Sequence, residues 1–447
     1  MKSSAFLITQ ILINLVSLQS TKQHGQPQDK MEDKEATFHA EQISDEDINM
    51  ILQRYTGGSE FVVIRKTLKP LKTPGMLGSY ATLEISFLDS KGAESTQSFF
   101  VKFLPTIDSQ ADFAKGIGAF TKEVFVYELL ERFQKEGVST VTNVVPKFYL
   151  GKANECLILE HLAVEGYKTL DKHSVLDYDT VLTVLNALAN FHANTIAFEE
   201  KQGDSILNTY GPGLVETYFA DDDDFINKRG IEASIAGIIR EIDIFQFPIK
   251  LNSGKNFKEV AKDVCYQIWN LVKPSKQYRN VLTHGDIWSS NILMKADENR
   301  RNVCKFVDYQ QSRYTPPSQD VLAFIFFTTT RSFRAKHLYE VLGVYYSYLE
   351  KYLKVLGVDP KKVLPFSEFM DSCEEQKAFA IVATAIYFQI ILLEDGVFDE
   401  YCNRENRDTL FLEDRGLLVE DYVEKDLKYK SRLRDSIQDL KDYCELL

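Results

Sequence analysis

One run limits what this chain can fold into more than any other: Val281-Leu282-Thr283-His284-Gly285-Asp286-Ile287-Trp288-Ser289-Ser290-Asn291-Ile292-Leu293-Met294. Apolar residues bracket a polar knot that holds an acid, Asp286, and an amide, Asn291. A second acid, Asp308, closes the apolar stretch Lys305-Phe306-Val307. Two strand-like runs, 292–295 and 303–307, flank the polar turn 296–302, which predicts a hairpin with these polar groups at its mouths. Carboxylates at the ends of buried strands are costly unless paired or bound to a cation. Oxygen donors of this type suit a hard divalent ion, and a further carboxylate can orient a hydroxyl.

The rest of the chain supplies a frame for that hairpin. Ser44 with Glu46 and Asp47 behind it predicts a helix start running to about Tyr55. Strands are predicted over 61–68, 79–89 and 98–103, a helix over 119–134, and strands over 144–151 and 156–160. Beyond 160 the pattern becomes helical, first at 179–198 and then, past Asp320, at 321–331, 335–356, 376–394 and 420–446. This order predicts an α+β chain: an extension at 1–40, a small mainly β lobe with one key helix at 41–160, and a large mainly helical lobe at 161–447.

Composition removes several classes. A net charge of -13 and a pI near 5.2 argue against nucleic-acid binding. Six cysteines, no two closer than the 29 residues between Cys373 and Cys402, exclude CxxC metal and redox motifs. Scattered thiols point to a reducing, cytoplasmic setting. The start of the chain points the other way: Lys2, an apolar run at 5–18 and a polar stretch at 19–33 have the layout of a secretory signal, whereas Met31 would open a cytosolic chain. The run is too short to span a membrane, and the apolar segment 378–393 carries Thr384 and Gln389, as a buried core helix does. The acidic run 221–224 is expected to be a solvated loop or helix start.

Lys102 closes an apolar strand, Phe99-Phe100-Val101-Lys102-Phe103, and a buried ammonium needs a partner. On the 119–134 helix, Glu123 shares a face with Phe120, Val126, Tyr127 and Leu130, whereas Glu128 sits among Thr121, Glu131 and Arg132. An acid on the apolar face must point inward, which makes Glu123, not Glu128, the inward-facing acid of this helix.

The segment 284–310, with HGDIWSSN followed by VDYQ, a Pro-rich turn and Asp320 before an apolar helix, resembles the ecdysteroid kinase-like (choline-kinase-like) family of the aminoglycoside phosphotransferase and protein-kinase-like superfamily. Weaker similarity extends over about 45–420. The resemblance implies a two-lobed kinase-like fold and ATP- and Mg²⁺-dependent transfer of phosphate to a small hydroxylated substrate, such as an ecdysteroid or a xenobiotic alcohol in detoxification. Asp286 would then be catalytic, Asn291 and Asp308 would hold the metal, and His284 with Asp320 would support the catalytic turn. Lys102 and Glu123 would serve the nucleotide phosphates, Gly75, Gly78 and Ser79 would cover them, and the backbone of Glu160 and Leu162 would hold adenine. Tyr309 and Gln310 stand where protein kinases carry Phe-Gly, which argues against a protein kinase. A choline- or aminoglycoside-type kinase and a non-catalytic nucleotide-binding pseudokinase remain as alternatives. No nucleic acid, no membrane span and a monomer are expected.

Overall fold

The computed structural model describes residues 42–71, 78–105, 108–223, 225, 227–297 and 301–447. The expected segment 1–40 and Gly75 lie outside the described residues. Two compact units are present. The first takes in 42–129 and 145–168, and the second 130–144 and 169–447.

The first unit is built on a five-stranded antiparallel sheet: β1 (Phe61–Leu71), β2 (Ser79–Asp89), β3 (Glu94–Phe103), β4 (Phe148–Lys152) and β5 (Cys156–Glu160), in the order β1-β2-β3-β5-β4. Strand alternation decides its two faces. Phe99, Val101 and Phe103 of β3 turn into a core with Ile48, Ile51 and Leu52 of helix α1 (Asp45–Tyr55). Lys102 therefore points to the other face, beside Tyr80 of β2 and Leu157 of β5 in register. Helix α1 begins as its sequence predicts. Ser44 Oγ accepts from Asp47 N at 3.1 Å, and Asp47 Oδ2 accepts from Ser44 N at 2.7 Å, a reciprocal cap. Among the expected strands, 61–68 extends to Leu71, 98–103 begins earlier at Glu94, and the first residues of 144–151 follow a 3₁₀ turn at Thr140–Asn143, with pairing starting at Phe148; a helix at Asp108–Gly116 was not expected.

The second unit is mainly helical. Helix α3 (Tyr178–Gln202) runs through it, and is capped by Asp177, whose Oδ1 accepts from Thr180 N at 2.8 Å. It follows α2 (Ala119–Lys135) in the chain. Helix α3 is the described helix that is long and apolar enough to cross a membrane, but 83% of its most apolar window is buried in the fold. It packs against α6 (Arg331–Val355), and α5 (Ser318–Thr328) packs against α7 (Phe366–Ile391). Strand β6 (Val281–Thr283) pairs with β9 (Arg313–Thr315), and β7 (Ile292–Ala296) with β8 (Asn302–Phe306) in the register Ile292↔Phe306. The hairpin read from the sequence is thus present.

Several helices depart from expectation, among them Phe257–Tyr266, which was not expected, and Phe366–Ile391, which begins before 376. The 420–446 segment is broken into α8 (Gly416–Tyr422) and α9 (Leu427–Cys444), because Asp426 caps a new start through Lys428 N at 2.7 Å. Helix α4 (Lys228–Ile244) was not expected. Its Gly230, Gly237 and Glu241 interrupt the apolar stripe, yet all three are buried.

Glu241 gives this core a testable pH dependence. It is fully buried. Oε1 accepts from Gln389 Nε2 at 2.7 Å, and Oε2 has no partner among the described residues. Burial pushes its carboxyl from an ordinary 4.5 to about 8. The fold thus retains a proton that the unfolded chain releases, so the group costs nothing below pH 4.5, and stability falls as pH rises from there to about 8. Each tenfold change in an acid constant is worth ~1.4 kcal/mol, so Glu241→Gln is expected to stabilise the protein at pH 7 by about 3 kcal/mol. At pH 4.5 the same substitution should change little. Denaturant melts of both proteins at the two pH values check this.

Candidate active site

Strand β6 delivers His284, Gly285 and Asp286 into a turn that only glycine fits at its second position. Gly285 has φ +81°, and a β-carbon there would stand 2.1 Å from the Gln311 carbonyl oxygen. The turn is held by Asp320, which enters from the first turn of α5. Its Oδ2 accepts from His284 N at 2.6 Å and its Oδ1 from Gly285 N at 2.9 Å. The His192 imidazole of α3 meets the same carboxylate, Nε2 to Oδ2 at 3.1 Å, and His192 Nδ1 lies 2.7 Å from the Tyr345 hydroxyl on α6. All these side chains are at most 1% exposed. Burial raises the Asp320 pKa, but the His192 contact and the loop amides outweigh it and hold the carboxyl below its ordinary value.

His284 supports the turn differently from the sequence expectation. Its imidazole does not reach Asp320; only its backbone N–H does. The ring instead bridges to β8: Nε2 lies 2.9 Å from Val307 O, and Nδ1 accepts from Asp286 N at 3.3 Å. Burial lowers its pKa, so the neutral ring donates from Nε2. The histidine whose ring meets Asp320 is His192, on the buried helix α3.

Asp286 and Asn291 are brought together. Asn291 Nδ2 donates to Asp286 O at 2.8 Å and to Asp286 Oδ2 at 3.0 Å. The amide nitrogen therefore turns toward Asp286 and the amide oxygen away from it. Asp286 Oδ1 is buried with no partner among the described residues. Burial, followed by the charge of Asp308, pushes the Asp286 carboxyl up to about 7. Asp308 has φ +70°, a left-handed conformation uncommon outside glycine, and its Oδ2 accepts from Gln310 Nε2 at 3.3 Å. Val307 N donates to Asn291 O at 3.1 Å, which ties the two mouths of the hairpin.

A divalent cation would suit this set. It would offset two carboxylates that raise each other's field, and an amide oxygen faces away from them. Among the described residues no group of three or more His, Cys, Asp or Glu side chains could enclose a metal by itself.

The sequence did not reveal the groups packed beside Asp286. Arg313 is 1% exposed, its Nε lies 2.6 Å from Glu216 Oε2, and its guanidinium sits over the Phe219 and Phe379 rings. Tyr387 donates to Gln311 Oε1 at 2.6 Å and stacks on Tyr218 with ring centroids 5.9 Å apart. These residues come from separate elements with no shared spacing to read.

In the first unit, Lys102 Nζ donates to Glu123 Oε2 at 2.7 Å, with both side chains buried, and lies over the Phe120 ring. Glu128 is exposed. Gly78 leads into Ser79 at the start of β2, and a β-carbon on Gly78 would stand 3.4 Å from Lys102 Cε. At the end of β5, Leu162 N donates to Glu160 O at 3.0 Å, so these two backbone groups engage each other. His161 Nε2 lies 2.9 Å from the Thr82 hydroxyl, and burial lowers its pKa.

Residues 76–358, well over half of the chain, match the model of the ecdysteroid kinase-like family. The chain belongs to the ecdysteroid kinase-like family. The matched segment of this family member contains Lys102, Glu123, His192, Asp286, Asn291, Asp308 and Asp320, and stops short of Tyr387. No curated protein matches it. Among solved structures it is similar to the GDP complex of wild-type aminoglycoside 2'-phosphotransferase-IIIa, at 13% identity and a TM-score of 0.39, covering 89% of this chain and 97% of that one. It is also similar to a choline/ethanolamine kinase family protein from Mesorhizobium loti, at 12% identity and a TM-score of 0.32, covering 84% and 92%. A microcompartment-associated aminopropanol kinase aligns at 11% identity and a TM-score of 0.31, covering 75% and 95%. The ecdysteroid kinase-like chain is thus a kinase-like small-molecule phosphotransferase by family, with a mainly β unit and a mainly helical unit.

Proposed function

We propose that this protein transfers the γ-phosphoryl group of ATP to a hydroxyl of a small molecule, an ecdysteroid being the acceptor the family name suggests and a xenobiotic alcohol the other candidate. The observation that carries the reading is Asp286: a buried carboxylate with one oxygen held by Asn291 and the other unpartnered among the described residues. Such an oxygen is placed to accept an acceptor hydroxyl's proton. The acceptor oxygen would bond to the γ-phosphorus as the bond to the β–γ bridging oxygen breaks, with ADP leaving and the proton passing to Asp286. Mg²⁺, held by Asn291 and Asp308, would neutralise charge on the phosphates. Lys102, steadied by Glu123, would contact the α/β-phosphates, with Gly78 and Ser79 covering them and Glu160 and Leu162 reaching the base. On this reading 41–160 forms the nucleotide lobe and 161–447 the acceptor lobe.

Choline- or aminoglycoside-type acceptors are less well supported. Two acids of the 221–224 run that would draw a cation, Asp221 and Asp223, already bind Lys228, at 3.0 and 2.8 Å.

Asp308→Ala tests the metal assignment. ATP with Mg²⁺ is expected to raise the melting temperature of the wild type, and the variant is expected to lose most of that rise. An unchanged rise in the variant would remove Asp308 from the nucleotide site.

A further inference from the structure

Beyond Asp286, the second unit holds a buried cation that phosphoryl transfer does not use. Arg415, just before α8, is 8% exposed. Its Nη2 donates to Gly230 O at 3.1 Å. Among the described residues its Nε has no partner and no carboxylate pairs with it. Burial lowers its pKa to about 10, so it remains charged at neutral pH. A desolvated guanidinium without an anion is expensive to keep. The other buried arginines differ: Arg313 is paired with Glu216, Arg334 with Asp439 and Arg407 with Asp408.

Arg415 lies on the Asp286 side of the unit. A β-carbon on Gly230 would stand 3.2 Å from Asn227 Oδ1 and 3.7 Å from Arg415 Nη2, and Asn227 Nδ2 donates to Tyr218 O at 2.9 Å. Tyr218 stacks on Tyr387, which bonds to Gln311 under the catalytic turn. The Tyr218 hydroxyl lies in the fields of both Arg415 and Asp286, and the Tyr387 hydroxyl also feels Asp286. Two stacked phenols thus connect a catalytic carboxylate at one end with an unpaired guanidinium at the other.

We propose that Arg415 is the anion-recognition group of the acceptor site, and that the acceptor carries an anionic oxygen group, a carboxylate or sulfate, on an apolar body whose hydroxyl meets Asp286. This rests on the phosphoryl-transfer reading above and replaces its uncharged ecdysteroid acceptor with an anionic one. A guanidinium recognises such a group through charge-assisted hydrogen bonds, and the Tyr218–Tyr387 stack supplies the apolar wall with hydroxyls at its edge. The same cation disfavours quaternary ammonium and polyamine acceptors.

The test uses the full-length protein and matched probes: a set of hydroxy acids including cholate, the uncharged methyl ester of each, and choline. Binding is read by calorimetry and turnover by ADP release with ATP and Mg²⁺. At least one acid is expected to bind about tenfold or more tightly than its ester, as expected for one charge-assisted contact. Arg415→Met should abolish that preference and Arg415→Lys should retain part of it. Met keeps the volume and removes an unpaired buried charge, so the Arg415→Met melting temperature should equal or exceed that of the wild type. The proposal is overturned if no acid outbinds its ester, if the preference survives Arg415→Met, if choline is preferred, or if Arg415→Met lowers the melting temperature as loss of a purely structural cation would. Arg415-dependent acid binding without ADP release would leave the anion subsite standing and remove the kinase reading. ADP release on neutral or cationic alcohols, unaffected by Arg415→Met, would do the reverse.

Discussion

Replacing Asp286 by Asn is expected to lower turnover by about 10²–10⁴-fold, the usual worth of a positioned general base, while leaving ATP binding largely intact. The side chain keeps its size and its place beside Asn291, so the turn has no reason to collapse. The variant also removes a buried carboxylate that has one oxygen unpartnered among the described residues and stands in the field of Asp308. Its melting temperature without Mg²⁺ should therefore be equal to or above that of the wild type, as is common where a functional group is strained by its surroundings. ADP-release assays and melts on the same preparations check both halves. Turnover near wild type in Asp286→Asn would remove Asp286 from the chemistry. A large fall in melting temperature would make it a structural acid instead.

The second large effect is expected at Asp320. One carboxylate takes the backbone N–H groups of His284 and Gly285 and meets the His192 imidazole, all out of reach of water. Asp320→Ala leaves two amide donors and an imidazole without an acceptor in a site too closed for solvent to replace it. A loss of about 3–5 kcal/mol is expected, the range for breaking a buried charged contact by removing one partner, together with loss of turnover because the Asp286 turn is no longer held. Tyr345→Phe, which removes only the outer hydroxyl of the same chain, should cost about 1 kcal/mol and keep turnover. Denaturant titrations of the two variants distinguish a graded network from a single structural contact. Equal effects would show that Tyr345 and Asp320 act through something other than His192.

The polar positions that the sequence exposed share one property: they interrupt strong apolar runs. Asp286, Asn291 and Asp308 do so around the hairpin, and Lys102 does so in β3. In the Lys102–Glu123 pair, periodicity sets how each residue faces, since period 2 turns Lys102 away from Phe99 and Val101 and period 3.6 puts Glu123 on the apolar face, while the expectation that this strand's Lys meets this helix came from the family resemblance. His192 obeyed the same logic but stood as one polar residue on a long buried helix, and nothing local distinguishes a packed histidine from a carboxylate's partner. His284 shows the converse. Its motif position was legible, but whether its ring or its backbone meets Asp320 depends on the φ of Gly285 and the place of Val307, which only the folded turn sets.

Helix α4 was hidden in the sequence because its apolar stripe is interrupted by residues whose partners are far along the chain, whereas the break between α8 and α9 turns on a local cap at Asp426. Glu241 is buried because Gln389 reaches it, and Gly237 is needed because Gln389 and Gly416 lie against it.

The sequence alone singled out the polar groups proposed to carry the chemistry and the face of its element that several of them occupy, because burial of apolar neighbours at a fixed period leaves a polar side chain one direction to point. Tertiary structure alone decided what stands around them. Tyr218, Tyr387, Arg313 and Arg415 come from segments with no common spacing, and only packing of the second unit makes them neighbours. Periodicity reports each element's own geometry, whereas a pocket wall is a property of several elements at once.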